Sequence, residues 1–396
     1  MPAIRTKVLL LDTNDAMGGV VRVHVSLARE LDRCGFDLYV ACLGYGHAWP
    51  LFRELPETHR WTIAPGTKSR RIALGRLAAL ADVASALPLA WTVLRLAYLC
   101  RRAGVQVIHT SDKRRAVMLS IALHRLTGIP FLYHSHNRYV DFAANRQALV
   151  RAAAIVSVAA EMKADFVHAR GHDMERIRVI HNGVNTSEFR TSGPADLRAE
   201  LGVPADAMLI GITSRLAPDK GQEAFLRAAS RVAAQEPRAW FIIVGDDAIA
   251  SDNADYVPRL RQLAADAGLA ARTRFLGGRR DMASIYRSLD VVVNAAHCEA
   301  CCMVLLEAMA CGRAVIGSRA GGTPEIVTHD QDGLLFDVDD AADLAEQMLR
   351  LARDPARRAR LGAAARATIE SRFSISVQTR AIERIYTELA AKASAS

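Results

Sequence analysis

The turn after the first apolar strand reads TNDAMGGVVR and lacks the G-x-G-x-x-G run that lets a backbone approach a dinucleotide pyrophosphate, so a dehydrogenase built on it is excluded. A P-loop G-x-x-x-x-G-K-[ST] is missing too, which removes the nucleotidases that depend on one. C-x-x-C occurs at Cys298 and Cys301 without a second pair or spaced histidines to complete four ligands, so structural zinc is not expected. No D-x-D element stands in a turn suited to a divalent ion, and no bound metal or other cofactor is expected. Short repeats, low-complexity tracts and recognisable DNA or RNA modules are absent, and nucleic acid is not an expected partner. The opening MPAIRTKVLLLD has only a short apolar stretch, closed by Asp12, and no small-residue cleavage site. It is not expected to be a secretory leader, and the chain reads as cytoplasmic.

What is present is apolar material for two cores. With 396 residues, 51% hydrophobic and 23% charged, the chain exceeds one ordinary domain and is not disordered. The seven cysteines are an odd number, and four of them crowd into positions 298 to 311, so reduced thiols are expected rather than a disulfide framework. The net charge of +9 is uneven: residues 1–190 hold 26 Lys+Arg against 15 Asp+Glu, while residues 191–396 hold 25 against 27. A basic front half can attract anionic partners, whether nucleic acid, membrane or a phosphorylated substrate, and a generally basic, solvated surface is the plainer alternative.

Apolar runs of strand length, KVLLLD, DLYVACL, VQVIHT, PFLYHS and AIVSVA, alternate with longer segments of helical period. The rhythm restarts after HNGVNTSEFRTSGP with MLIGITS, FIIVG, RFLGG, DVVVNAA, AVIGS and GLLFD. This predicts an α/β protein of two Rossmann-like domains with parallel sheets facing a central cleft. The expected divisions are 1–190, 191–373 and a terminal helix, 374–396, that packs back on the first domain. The segment 68–102 is basic at both ends and apolar between them. Only 18 residues separate Arg76 from Arg95, and they include Asp82 and Pro88, so a membrane span is disfavoured. A crossover helix pair broken at Pro88 is expected, with docking on anionic lipid as the alternative.

Three places carry candidate chemistry. Gly18 and Gly19 open a helix, where backbone N–H groups can meet an anionic ligand. Arg215 and Lys220 stand five apart in a strand-to-helix turn, where two cations can neutralise a diphosphate as it gains charge; a solvated surface pair is the plainer alternative. In HCEACCMVLLEAMACG, Glu299 falls in the loop after a strand and Glu307 one turn into the next helix, so two carboxylates can each accept hydrogen bonds from vicinal hydroxyls. Cys298-x-x-Cys301 in the same stretch is a rival redox signal, with inert packing the default.

The order of GGVVR, YHSHN, HNGVNTSEF, SRLAPDKG, FIIVGD, the two spaced glutamates before LLEAMACG, and AGGTPEIV resembles the retaining glycosyltransferases of family 4, with the GT-B fold, along nearly the whole chain. The resemblance implies a nucleotide-sugar donor, with Arg215 and Lys220 on the diphosphate, Glu307 on the ribose, and Glu299 on the transferred sugar. Backbone N–H groups of Ala300, Cys301, Cys302, Met303 and Val304 would line the site, and Gly18 and Gly19 would close over the phosphates. His136 matches the family's active-site histidine, and His134 is read as structural. Catalysis would then rest on His136, Arg215, Lys220 and Glu299, without metal. Members commonly carry Gly-Phe-Gly after the first glutamate where this chain has Ala300-Cys301-Cys302, and G-x-G where it has Gly245-Asp246-Asp247. The positive excess of the first domain and the basic-flanked segment 68–102 suggest a lipid-linked sugar, glycolipid or polysaccharide acceptor of envelope glycan synthesis, with peripheral placement on the inner face of the cytoplasmic membrane as an option. A nucleotide-sugar epimerase and a non-catalytic scaffold of the same fold are the competing readings.

Overall fold

The computed structural model describes residues 5–13, 19–33, 35–43, 59–63, 78–137, 143–163, 177–246 and 255–395. Gly18, Asp247 and the 68–77 part of the basic-flanked segment lie outside them. The chain divides into unit 1, Met1–Val158 with Met162–His181 and Gln378–Ser396, and unit 2, Ala159–Glu161 with Asn182–Val377.

Unit 1 is built on seven parallel strands: β1 (Lys7–Asp12), β2 (Asp37–Leu43), β3 (His59–Ile63), β4 (Val107–Ser111), β5 (Phe131–Ser135), β6 (Ala154–Ser157) and β7 (Ile177–Val179). Their order is β3-β2-β1-β4-β5-β6-β7, so the direction of winding reverses between β1 and β4. Continuous apolar runs such as Val8 to Leu11 suit strands buried on both faces, and these four side chains are fully buried. Helix α1 (Gly19–Arg33) connects β1 to β2, while α2 (Ala78–Ala103), α3 (Arg114–Thr127) and α4 (Ala143–Arg151) make the connections toward β6. Right-handed crossovers place these three on one face, where Val93, Leu96 and Cys100, Ala116 and Leu119, and Leu149 share one core with Leu9, Ile108 and Phe131.

Pro88 does not divide a helix pair. α2 runs through it as one helix of 26 residues. A proline removes the rung made by its own N–H, and the rungs on either side carry the helix on. Thr92 Oγ1 also donates to the Pro88 carbonyl at 2.7 Å.

Unit 2 has six parallel strands: β8 (Met208–Thr213), β9 (Ala239–Val244), β10 (Thr273–Phe275), β11 (Val291–Asn294), β12 (Ala314–Ser318) and β13 (Leu334–Phe336). The order β10-β9-β8-β11-β12-β13 puts the reversal between β8 and β11. Helices α5 (Leu197–Leu201), α6 (Gln222–Ala233), α7 (Tyr256–Asp266), α8 (Met282–Ser288), α9 (Met303–Ala310), α10 (Thr323–Ile326), α11 (Ala341–Arg353) and α12 (Pro355–Thr368) complete it. Its core joins Phe225, Phe241, Val293, Ile316 and Leu344. The last helix, α13 (Ile375–Ala395), belongs to unit 1 from Gln378 onward, where Tyr386 is fully buried against Phe36 and His109. Among the described residues no helix is long and apolar enough to cross a membrane.

Candidate functional site

In open parallel sheets the crevice beyond the strand ends, at the point where the order reverses, is where ligands sit. In unit 2 that point is flanked by the loop after β8 and the loop after β11. The first carries Arg215 and Lys220; the second carries Glu299.

Lys220 Nζ lies 2.7 Å from Glu299 Oε1, and both side chains are largely shielded, at 16% and 24% exposure. Asp219 Oδ2 stands 3.5 Å from Lys220 Nζ and 3.4 Å from Arg215 Nη2, so one carboxylate oxygen is shared by the two cations. Burial alone would favour neutral Lys220, but the charge and hydrogen bond of Glu299, with Asp219 behind them, hold its pKa above the ordinary lysine value. Glu307 joins from α9: Tyr286 Oη donates to Glu307 Oε2 at 3.1 Å and lies 3.1 Å from Thr213 Oγ1 at the end of β8. Burial first, and then Glu307, push the Tyr286 phenol well above its usual pKa, so it remains a neutral donor.

The loops are fixed by close backbone approach. Gly221 adopts φ +70°, and a Cβ there would fall 2.0 Å from the Ala295 carbonyl oxygen. Gly321, at φ +56°, and Gly322 lie against the Glu299 and Ala300 carbonyls, where any Cβ would come within 2.1 Å; the Gly322 N–H donates to Glu299 O at 2.8 Å. Fully buried Gln222 donates from Nε2 to Ser214 Oγ and to the Arg215 carbonyl, both at 2.9 Å, and so sets the arginine loop. Helix α9 begins after Cys302, and its first turn, with Met303 and Val304, presents N–H groups that have no carbonyl four residues back inside the helix.

The cysteines beside it are free thiols. Burial pushes Cys301 up to about 12, and burial with the neighbouring Glu299 raises Cys302 well above its usual value. Thiol exchange needs a thiolate, and these surroundings oppose one.

The structure thus brings Arg215, Lys220 and Glu299 into one charged network and ties Glu307 to the end of β8. Gly19 opens α1 in unit 1, and Gly18 is outside the described residues. His136 is also in unit 1, directly after β5, with its backbone N–H donating to Asp112 Oδ2 at 3.0 Å.

His136 belongs to a buried cluster that the sequence pattern did not assemble. Its ring centroid is 4.1 Å from that of His134 and 5.1 Å from that of His24. His109 Nε2 pairs with His134 Nδ1 at 3.0 Å and its Nδ1 pairs with Tyr386 Oη, while His24 Nδ1 meets Asp12 Oδ2 at 2.8 Å. Burial, then charge on His24, lowers His109 well below 6.5; burial, then His136, His109 and His24, does the same to His134. Tyr286, Asp219 and Gln222 were likewise not singled out, because each is an ordinary residue in an amphipathic or turn setting. Gly321, Gly322 and Glu325 were visible only as parts of AGGTPEIV. Glu325 proves to accept from the Ala160 and Glu161 N–H groups at 2.8 and 2.9 Å.

Two family models match in succession, Glycosyltransferase Family 4 over residues 17–188 and Glycosyl transferases group 1 over 195–368. The chain is 34% identical over 218 residues to a D-inositol 3-phosphate glycosyltransferase of Saccharomonospora viridis; the match covers 54% of this chain and about half, 50%, of that relative's length. It is 29% identical over 381 residues to the protein of the same description from Frankia alni, covering 89% of this chain and 90% of that one. Among solved structures, Anabaena HepE in complex with UDP and glucose superposes with a TM-score of 0.80 at 25% identity, over 97% of this chain and 100% of that chain.

Proposed function

The chain belongs to the group 1, family 4 glycosyltransferases and has their GT-B fold, and from that premise we propose that it moves a sugar from a nucleoside-diphosphate donor to an acceptor hydroxyl with retention of the anomeric configuration. The observation that carries the reading is the Arg215, Asp219, Lys220 and Glu299 network at the β8/β11 reversal. An oxygen held between two cations, as Asp219 Oδ2 is, marks where a diphosphate oxygen finds the same attraction.

In this reading Arg215, Lys220 and the first turn of α9 hold the diphosphate, Glu299 accepts from hydroxyls of the sugar, and Glu307 accepts from the ribose with Tyr286 orienting it. The bond from the anomeric carbon to the phosphate oxygen breaks, and the electron pair leaves with the phosphate. The acceptor oxygen bonds to the same face of an oxocarbenium-like carbon, and its proton passes to the departing phosphate oxygen. The cations stabilise charge that grows as the bond breaks, which lowers the barrier rather than the ground state. The family resemblance gives His136 an orienting role. No metal is required for this scheme.

The acceptor proposed is a lipid-linked sugar, glycolipid or envelope polysaccharide. The two relatives described above suggest a second, a polyol phosphate. The test is release of nucleoside diphosphate from UDP-glucose, UDP-N-acetylglucosamine, ADP-glucose and GDP-mannose, first alone and then with each acceptor class. Slow release from one donor, accelerated by an acceptor, is expected. Release from none would leave a scaffold, and a free epimerised nucleotide sugar would identify an epimerase.

A further inference from the structure

The large apolar side chains that stand exposed among the described residues are Trp91, Leu94, Tyr98, Met118, Leu126 and Val150. All six lie on α2, α3 and α4 of unit 1, the three helices that share one face of its sheet, and none lies in unit 2. On α2 the spacing is i, i+3, i+7: Trp91, Leu94 and Tyr98, at 67%, 58% and 60% exposure, form a stripe opposite the buried Val93, Leu96, Ala97 and Cys100. This helix is therefore apolar on two sides, and the sheet covers one of them.

The charge in these three helices is mostly of one sign. α2, α3 and α4 carry three, three and two arginines, and the sole acid in their sequences is Asp82 in the first turns of α2. The Arg101 guanidinium donates to the Leu126 carbonyl, which ties the end of α2 to the end of α3; the neighbouring Arg102 and Arg125 are exposed. A neutral protein partner would bury these guanidiniums without counter-charge. An anionic bilayer surface answers both features, since aromatic and leucine side chains enter the boundary between headgroups and acyl chains while arginines sit at the phosphates.

We propose that the α2, α3 and α4 face of unit 1 docks on an anionic lipid surface, with Trp91, Leu94 and Tyr98 as the inserted groups. The docking goes beyond the transfer reading and does not depend on it. It adds the partner on which an amphiphilic acceptor would be carried.

The experiment uses the full chain with vesicles of phosphatidylcholine alone or mixed with phosphatidylglycerol, read by co-sedimentation and by the emission shift of tryptophan. Binding to the phosphatidylglycerol vesicles is expected at low ionic strength, and should fall as salt shortens the range of the charge interaction. Replacing Trp91, Leu94 and Tyr98 together by serine should weaken it by about tenfold or more. R102Q and R125Q should each weaken it by about five-fold. Because these side chains are exposed, circular dichroism and nucleoside diphosphate release without vesicles should not change in the triple variant, which separates failure of docking from failure of the transfer reading. Equal binding to both vesicle types, or wild-type binding by the triple variant, would overturn the proposal. So would a wild-type dimer that becomes a monomer in the triple variant, since the stripe would then be covered by a second copy.

Discussion

At the β8/β11 edge of unit 2 the polar side chains are charged and paired, with Lys220 against Glu299 and Arg215 near Asp219, all open in part to solvent. At the β1/β4 edge of unit 1 the corresponding place holds His24, His109, His134 and His136 with Asp12 and Tyr386, all buried. The two sheets share a topology at their reversal points, so the strand plan does not decide which chemistry a unit can offer. Burial does. Partial exposure lets unit 2 keep exchangeable charges that an anionic ligand can take over. Full burial makes a charged imidazole costly, so His109 and His134 are held neutral and serve as a hydrogen-bonded wall.

The strongest way to break this contrast is to remove a unit 2 cation. Arg215→Ala or Lys220→Ala should lower turnover by about 10²-fold, roughly 3 kcal/mol at the transition state. For Arg215→Ala the urea midpoint should barely move, since its half-exposed ion pair contributes about 0–1 kcal/mol to folding. A near-normal rate would remove these cations from the mechanism.

Next is the backbone contact that positions Glu299. Gly321→Ala should cost about 2 kcal/mol, because it adds strain at φ +56° and a Cβ aimed at the Glu299 carbonyl. In unit 1, Gly128→Ala has a similar φ, +76°, but no neighbour within 4 Å, and should cost about 1 kcal/mol. Equal denaturation midpoints for the two variants would show that close approach adds nothing to strain.

Acid should separate the units. The folded pKa values of His109 and His134 lie below 6.5, so the unfolded chain takes up protons first as pH falls. Their contribution is fully present above about pH 6.5 and is lost below it, at up to about 1.4 kcal/mol per histidine per pH unit. Hydrogen exchange at about pH 5.5 should show β4 and β5 losing protection while β8 and β11 retain it. Parallel loss in both units would contradict the assignment.

The smallest effect expected is that of Tyr286→Phe, which removes the donor to Glu307 and should weaken donor binding by about 1 kcal/mol, seen as a higher KM with kcat little changed.

Much of the fold was legible because a parallel strand buried on both faces must be continuously apolar, as KVLLLD and DVVVNA are. Arg215, Lys220 and Glu299 were legible because each stands in a turn after a strand, and Glu307 because it falls one turn into the helix that follows, where local sequence fixes position. Pro88 misled, since a proline's local cost is outweighed by a long helix packed on a sheet. His134 and His136 were visible in YHSHN, but Tyr286 and the gathering of His24 and His109 around those two left no signal, because these contacts join separate elements: Tyr286 meets Glu307 across 21 positions and His109 meets Tyr386 across 277. The exposed stripe of α2 was hidden for a related reason. An apolar helix with two apolar faces reads as buried until the sheet shows which face it uses.

By itself, the sequence determined the two parallel-sheet units, the turns that bear the charged residues, and the excess of positive charge in the first 190 positions. These are properties of neighbours along the chain, set by periodicity and by the freedom of glycine at turns. Only the tertiary structure decided that one Asp219 oxygen is shared by two cations, that four histidines close on one another out of water, and that, among the described residues, the large exposed apolar side chains gather on a single arginine-rich layer. Burial and approach between distant segments set those outcomes, and both depend on which faces the packed elements leave uncovered.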